Sequence, residues 1–224
     1  MFDAQKLLQQ VLGGNADTGT ETGGKKGPMG ISSEHMTGAA VGGLAGLLLG
    51  SKSVRKIAGP VAQIGGMAAV GTLAYKAWQT WQTKQAAQAA ALPTQTTQTA
   101  FLPQNPDQRN ETSMMILSAM ISAAKSDGHI DAAEQEKIFA KLDEDSLPAE
   151  EKAFLMDQFR RPMSIPDLAA LAKTPEQAAE IYTASVLAIQ PDSPTEVTYL
   201  NNLSSALNLD AGLRTNIDAV VRTQ

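Results

Sequence analysis

The 224-residue chain has no cysteine, only two histidines, and only two Trp, three Tyr and five Phe. Without cysteine there are no disulfides, thiolate metal sites or thiol nucleophiles, although this alone does not separate a reducing from an oxidising compartment. The histidines, His35 and His129, lie far apart in sequence, and no G-x-S-x-G, P-loop or H-E-x-x-H pattern accompanies them, so an enzyme is not expected. Positive charge is also scarce where a nucleic-acid binder would need it. Residues 1–110 carry nine Lys/Arg and five Asp/Glu, whereas residues 111–224 carry nine and eighteen. A C-terminal half with that excess of carboxylates repels phosphate backbones, which leaves cations and basic protein surfaces as its natural partners and no nucleic acid. A basic n-region, an unbroken apolar core and a small-residue cleavage site are missing from MFDAQKLLQQVLGG, so the N-terminus is expected to be retained.

Glycine, in contrast, is abundant and ordered. Gly38, Gly42, Gly46 and Gly50 recur every fourth position in an apolar setting. In a helix they form one stripe, which costs roughly 1 kcal/mol per Gly in water but allows close backbone approach in lipid. The uncharged run Ile57 to Tyr75 is long enough to cross a bilayer of roughly 30 Å. Lys76, Trp78 and Trp81 follow it as interfacial anchors would, and Lys52, Arg55 and Lys56 precede it, a bias that favours a cytoplasmic N-terminus for one crossing. Two crossings would return the C-terminal half to the starting side, so the side it occupies stays open. The competing interpretation is a buried helical hairpin in a soluble protein.

The expected organisation has four parts: residues 1–37, a short amphipathic helix and Gly-rich linker; 38–81, the Gly-rich membrane segment; 82–110, a Gln/Ala/Thr/Pro-rich linker; and 111–224, an acidic helical domain with its own core. In the first, Ala4, Leu7, Leu8, Val11 and Leu12 follow helical spacing and suit docking on a partner or on the bilayer surface. In the third, Phe101 and Leu102 are placed to dock on the domain that follows.

From residue 111 onward the apolar spacing predicts seven helices: Glu111 to Lys125, Ala132 to Leu142, Pro148 to Phe159, Ile165 to Leu171, Pro175 to Ile189, Pro194 to Leu207 and Ala211 to Val221. Capping boxes are expected from Asp131 with Glu134, Thr174 with Gln177, and Ser193 with Glu196. Pro175 and Pro194 stand at first helical positions, where a missing N–H costs nothing. The fold class is therefore all-α, a Gly-rich transmembrane helical segment followed by a compact bundle of about seven helices.

Two stretches, AAKSDGHIDAAEQEKI and LAIQPDSPTEVTYLNNLSSALNL, each pair an inter-helix Asp with a first-turn Glu. They resemble the two acidic blocks of the TerB-like domain, named from a tellurite-resistance protein, over roughly residues 111 to 222. With the Gly-rich segment ahead of it, the chain resembles the YebE-like family of bacterial inner-membrane proteins of unknown function. The resemblance implies a helical domain at the inner (cytoplasmic) membrane and metal binding by acidic turns. Asp127, Glu134, Asp192 and Glu196 are the candidate ligands for a divalent metal cation such as Ca²⁺ or Mg²⁺. Gln190 and Pro191 stand where related second turns often carry another Asp, and DGHIDAAE does not match an EF-hand loop. Against the metal stands ordinary architecture: Glu134 and Glu196 as cap residues favoured by the helix macrodipole, Asp127 as a turn former before Gly128, and His129 as a solvated turn residue. No other cofactor is indicated.

Two functions follow as expectations. One is a membrane-anchored interaction or sensing module whose acidic domain binds a protein partner, with or without a cation. The other is a structural membrane protein that contacts lipids and self-associates through Gly38, Gly42, Gly46 and Gly50.

Overall fold

The computed structural model describes residues 3–5, 7–8, 66–89, 98–126, 149–189 and 193–223. Among the described residues there are seven α-helices, one 3-10 turn (Gln98–Ala100) and no strand. The helices are α1 (Gly66–Ala89), α2 (Pro106–Ala124), α3 (Ala149–Arg160), α4 (Ile165–Leu171), α5 (Pro175–Ala188), α6 (Pro194–Ala206) and α7 (Ala211–Arg222). The glycines at 38, 42, 46 and 50 and the helix expected over 132–142 lie outside the described residues.

Side-chain caps set most of these boundaries. Asn105 accepts the Asp107 N–H at 2.8 Å with Pro106 at the first helical position, so α2 begins at Pro106 rather than at Glu111. The apolar pattern missed this first turn because Asp107, Gln108 and Arg109 are polar. At α6 the expected capping box is complete: the Ser193 N–H donates to Glu196 Oε2 at 3.1 Å, and the Glu196 N–H to Ser193 Oγ at 3.2 Å. At α5 only half of it forms. Thr174 accepts the Gln177 N–H, but the Gln177 side chain reaches one residue further back and accepts the Lys173 N–H at 2.8 Å. Between α6 and α7 the chain turns through Asn208, the one described non-glycine residue with positive φ, at 50°. The Leu209 N–H donates to the Ser204 carbonyl at 3.0 Å and the Asn208 N–H to that of Ser205 at 3.1 Å. This paired closure of a helix end suits a left-handed Asn.

Helix α5 is the axis of the bundle, in contact with α1, α2, α6 and α7. Everything from Ala178 to Val186 is buried, with no polar face, the mark of a helix surrounded by others. Its internal hydroxyls are satisfied locally, Thr183 donating to the Ala179 carbonyl at 2.7 Å and Ser185 to that of Ile181 at 2.9 Å. Small side chains bring α2 and α5 together: Ala119 and Ala123 on one, Ala179 and Ala184 on the other, all fully buried.

Helix α1 corrects the membrane reading of residues 66–81. Met67, Val70, Ala74, Ala77 and Trp78 are buried in the same core as α2, α5 and α7, and a side chain packed there cannot also face lipid. The helix continues past Tyr75 to Ala89. Among the described residues no helix is long and apolar enough to cross a membrane. Both tryptophans are engaged within the protein: Trp78 is only 6% exposed, and the Trp81 indole N–H donates to Asp210 Oδ1 at 2.7 Å. Lys84 donates to Asn216 Oδ1 on α7 at 2.9 Å. Gly71 serves protein packing, since a Cβ there would collide with the Phe101 carbonyl oxygen and touch Leu102. Phe101 is fully buried, and the contacts that fix it are with Tyr75, Trp78 and Gly71 of α1, upstream of it, rather than only with the domain that follows. The core therefore extends well upstream of residue 111.

The N-terminal turn also belongs to this body. Ala4, Leu7 and Leu8 are fully buried, a gross gain of about 1.5–3 kcal/mol for each leucine. The Ala4 N–H donates to Asn110 Oδ1 at 2.6 Å, and the Asp3 N–H to Glu151 Oε1 at 3.2 Å. These are the donors that a helix start leaves free.

Candidate functional site

Of the four candidate metal ligands, Asp127, Glu134 and Asp192 lie outside the described residues. Glu196 is described, and its Oε2 accepts from both the N–H and the hydroxyl of Ser193, each at 3.1 Å. One of its two oxygens is thus engaged in the cap. Among the described residues no group of three or more His, Asp or Glu is placed to hold a metal ion.

A different site emerges where aromatic residues gather. Tyr75, Trp78 and Trp81 recur at helical spacing on α1, and Phe101 meets the first two edge-on, its centroid 5.8 Å from Tyr75 and 5.9 Å from Trp78. Trp78 and Trp81 are also edge to face, at 5.2 Å. This is a preferred aromatic geometry that fixes ring orientation. Both tryptophans of an aromatic-poor chain then form one wall of a groove of about 400 Å³, a volume within the usual range for ligand pockets. The opposite wall is the turn into α5, with Ala172, Lys173, Thr174 and Pro175, and the floor is Ala178, Leu207 and Leu213.

Asp210 holds the groove in shape. Its Oδ1 caps α7, accepting from the N–H groups of Gly212 at 2.8 Å and Leu213 at 3.1 Å, and it also accepts the Trp81 indole N–H. A cap residue that binds an indole locks α1 to the start of α7. Gly212 permits the approach, because a Cβ there would lie 3.3 Å from the Trp81 ring.

Next to the floor, α5, α6 and α7 share a polar network centred on Tyr182, which is fully buried. Arg214 donates from Nε to the Tyr182 hydroxyl oxygen at 3.0 Å, and Tyr182 donates to Asp218 Oδ1 at 3.2 Å. The other Arg214 nitrogens reach Ser204 Oγ at 3.3 Å and Asn201 Oδ1 at 2.5 Å. Burial pushes the Tyr182 phenol up to about 12, reinforced by the Asp218 carboxylate and opposed by Arg214. Burial likewise raises Asp218, against the stabilising influence of Tyr182 and Arg214. A phenol that stays protonated and lies beneath an arginine serves to position the helices that build the floor.

Sequence reasoning missed this groove because its parts come from three separated stretches, and Trp78 and Trp81 had been assigned to a membrane interface. The usable signal was the i, i+3 spacing of two tryptophans in a chain with so few aromatics.

The model of a family described as "Protein of unknown function (DUF533)" matches residues 34–221. A protein of Yersinia enterocolitica described as "Uncharacterized protein in ampR 5'region" is 30% identical over 116 residues, which cover 52% of this chain and 81% of that protein. No solved structure matches the chain.

Proposed function

We propose that this chain, which belongs to DUF533, a TerB-like family, is a helical interaction module that receives a segment of a partner protein in the groove between α1 and the turn into α5. The observation that supports this most directly is the pair of tryptophans lining a preshaped groove, with the Trp81 N–H already satisfied by Asp210. What they offer an occupant is mainly apolar surface. Rigid, amphipathic aromatic anchors of this kind are enriched where binding energy concentrates. The eighteen acidic against nine basic residues over 111–224 favour a partner segment whose apolar residues are flanked by basic ones.

The likeness to YebE-like inner-membrane proteins adds a tether to the proposal. Because α1 is committed to the protein core, the tether falls to residues 38–65. Deleting 38–65 should move the chain from the membrane to the soluble fraction, and a wild-type chain that is itself soluble would remove the tether from the proposal. For the groove, Ala172→Arg adds a long charged side chain at a half-buried lining position that also packs against the core, so its melting curve is checked alongside the wild type's. Pull-downs with the full chain should lose their specific partner on Ala172→Arg and keep it on Arg161→Ala, at an exposed position that does not line the groove. An unchanged partner profile for Ala172→Arg would refute the groove as the binding surface.

A further inference from the structure

The groove between α1 and the turn into α5 departs in charge from the chain around it. Residues 111–224 carry eighteen acidic and nine basic residues, yet among the described residues that line the groove only Lys173 and Asp210 are charged. Asp210 is committed on the tryptophan side. Its Oδ1 accepts the N–H groups of Gly212, Leu213 and the Trp81 indole, and the positive end of α7 answers its charge. Lys173, on the opposite wall, is exposed, and among the described residues no carboxylate pairs with its ammonium.

The backbone that carries this lysine is fixed. The Lys173 N–H donates to Gln177 Oε1 at 2.8 Å, and Thr174 caps α5 by accepting the Gln177 N–H at 3.3 Å. That cap is a neutral hydroxyl, and Glu176, the acid in the first turn of α5, is not part of the lining. A flexible ammonium and the positive end of a helix thus face the same space, across from two tryptophans and beside the apolar floor. The acidity of the surrounding surface acts through water and is screened within roughly 10 Å at ordinary salt. Inside the groove the local sign decides.

Resting on the reading of this groove as a docking site, we infer that the partner segment carries, beside its apolar residues, an Asp or Glu whose carboxylate pairs with Lys173. Its basic residues lie outside the groove, toward the acidic surface. The pair gives the segment a direction: apolar side chains meet Trp78 and Trp81, and the acid meets the turn into α5. Apolar contact alone would leave either direction open, whereas a charge on one wall fixes the register.

Short random peptides, displayed on phage through their C-termini and selected on the full chain, test this, with a melting curve to check the folding of each protein variant. The enriched peptides should combine aromatic or aliphatic residues with an Asp or Glu at a fixed offset, and should be lost on Ala172→Arg. Made with a fluorophore, such a peptide should bind Lys173→Glu about fivefold more weakly than the wild type, the upper reach of one exposed ion pair. High salt should shrink the difference. Exchanging the peptide's acid for Lys should weaken binding to the wild type and restore it on Lys173→Glu. Should Lys173→Glu fail to fold, Lys173→Gln and a peptide with its acid changed to the amide make the same comparison. Peptides that are lost on Ala172→Arg yet carry no acid, or that bind Lys173→Glu as well as the wild type, would overturn the inference and leave the groove as a docking site. If no enriched peptide is sensitive to Ala172→Arg, the docking site itself falls and the inference falls with it.

Discussion

Helices α1 and α7 lie against each other, yet their sequences follow different rules. In α7 the buried Leu213, Ile217 and Val221 recur at four-residue spacing, with Asn216 beside them, while Arg214, Thr215, Asp218 and Arg222 supply the polar side. That stripe can mean only a surface helix facing a core. In α1 the first half is buried on most sides by Met67, Ala69, Val70, Leu73, Ala74, Ala77 and Trp78, while the second half is largely polar and exposed. A helix that is small and apolar on most sides fits lipid and protein interior equally well. What settles it is the partner, and the partner of α1 is more than a hundred residues away. Amphipathic helices declare their surroundings; uniformly apolar ones do not.

The largest test of this contrast is truncation. A fragment starting at Asn110 has every apolar residue of α7 but lacks the surface that covers them, along with Phe101. It should fail to unfold cooperatively, whereas a fragment starting at Gly66 should melt as a single unit; thermal denaturation followed by far-ultraviolet circular dichroism distinguishes them. Cooperative melting of the Asn110 fragment would show that α1 is an accessory. A more local test is Gly71→Leu, which pushes α1 away from the Phe101 carbonyl and should lower stability by about 3 kcal/mol, the upper end of the usual overpacking cost. In a helix facing lipid the same change would be tolerated.

The third test concerns α5, which both helices pack against. Glu180 is 1% exposed and its Oε1 has no partner. Burial, with a smaller contribution from Glu176, raises its carboxyl from 4.5 to about 9. The native state therefore keeps a proton that the unfolded chain releases above pH 4.5. Its favourable contribution is complete below that value and is lost as the pH rises toward 9, at a slope approaching 1.4 kcal/mol per pH unit. Glu180→Gln should flatten the urea-measured stability profile between pH 5 and pH 9. An unchanged profile would mean that the carboxyl reaches water. The smallest effect is expected at the turn leading into α7. Asn208→Ala places a less tolerant side chain at a φ of 50° and should cost about 1 kcal/mol, while Asn208→Gly should cost nothing measurable.

What was legible in the sequence was local. Thr174, Ser193 and the prolines after them marked the starts of α5 and α6 because a cap needs residues only three apart, and Ile165 to Leu171 was bounded correctly; its caps are Ser164 and Ala172. Phe101 was expected to dock, but on the domain that follows it and not on α1. The groove was not legible, because Trp81, Lys173 and Asp210 are brought together by the fold and by no spacing along the chain. The position of α1 was misjudged because Gly71 answers to Phe101, thirty residues on, while its immediate neighbours resemble a membrane span. The acidic turns remain a matter of sequence, with Glu196 alone described and held in its cap.

The pairing of α1 with α7 also has a consequence in time. The chain is made from its N-terminus, so α1 leaves the ribosome well before the helix that covers it exists. Throughout that interval Met67, Val70, Leu73 and Trp78 are an uncovered apolar surface, open to chaperones, to other nascent chains and to any machinery that sorts apolar segments. The last helix, Ala211–Arg222, closes the structure. A premature stop that removes only α7 would therefore leave uncovered the very surface whose exposure is most hazardous during synthesis.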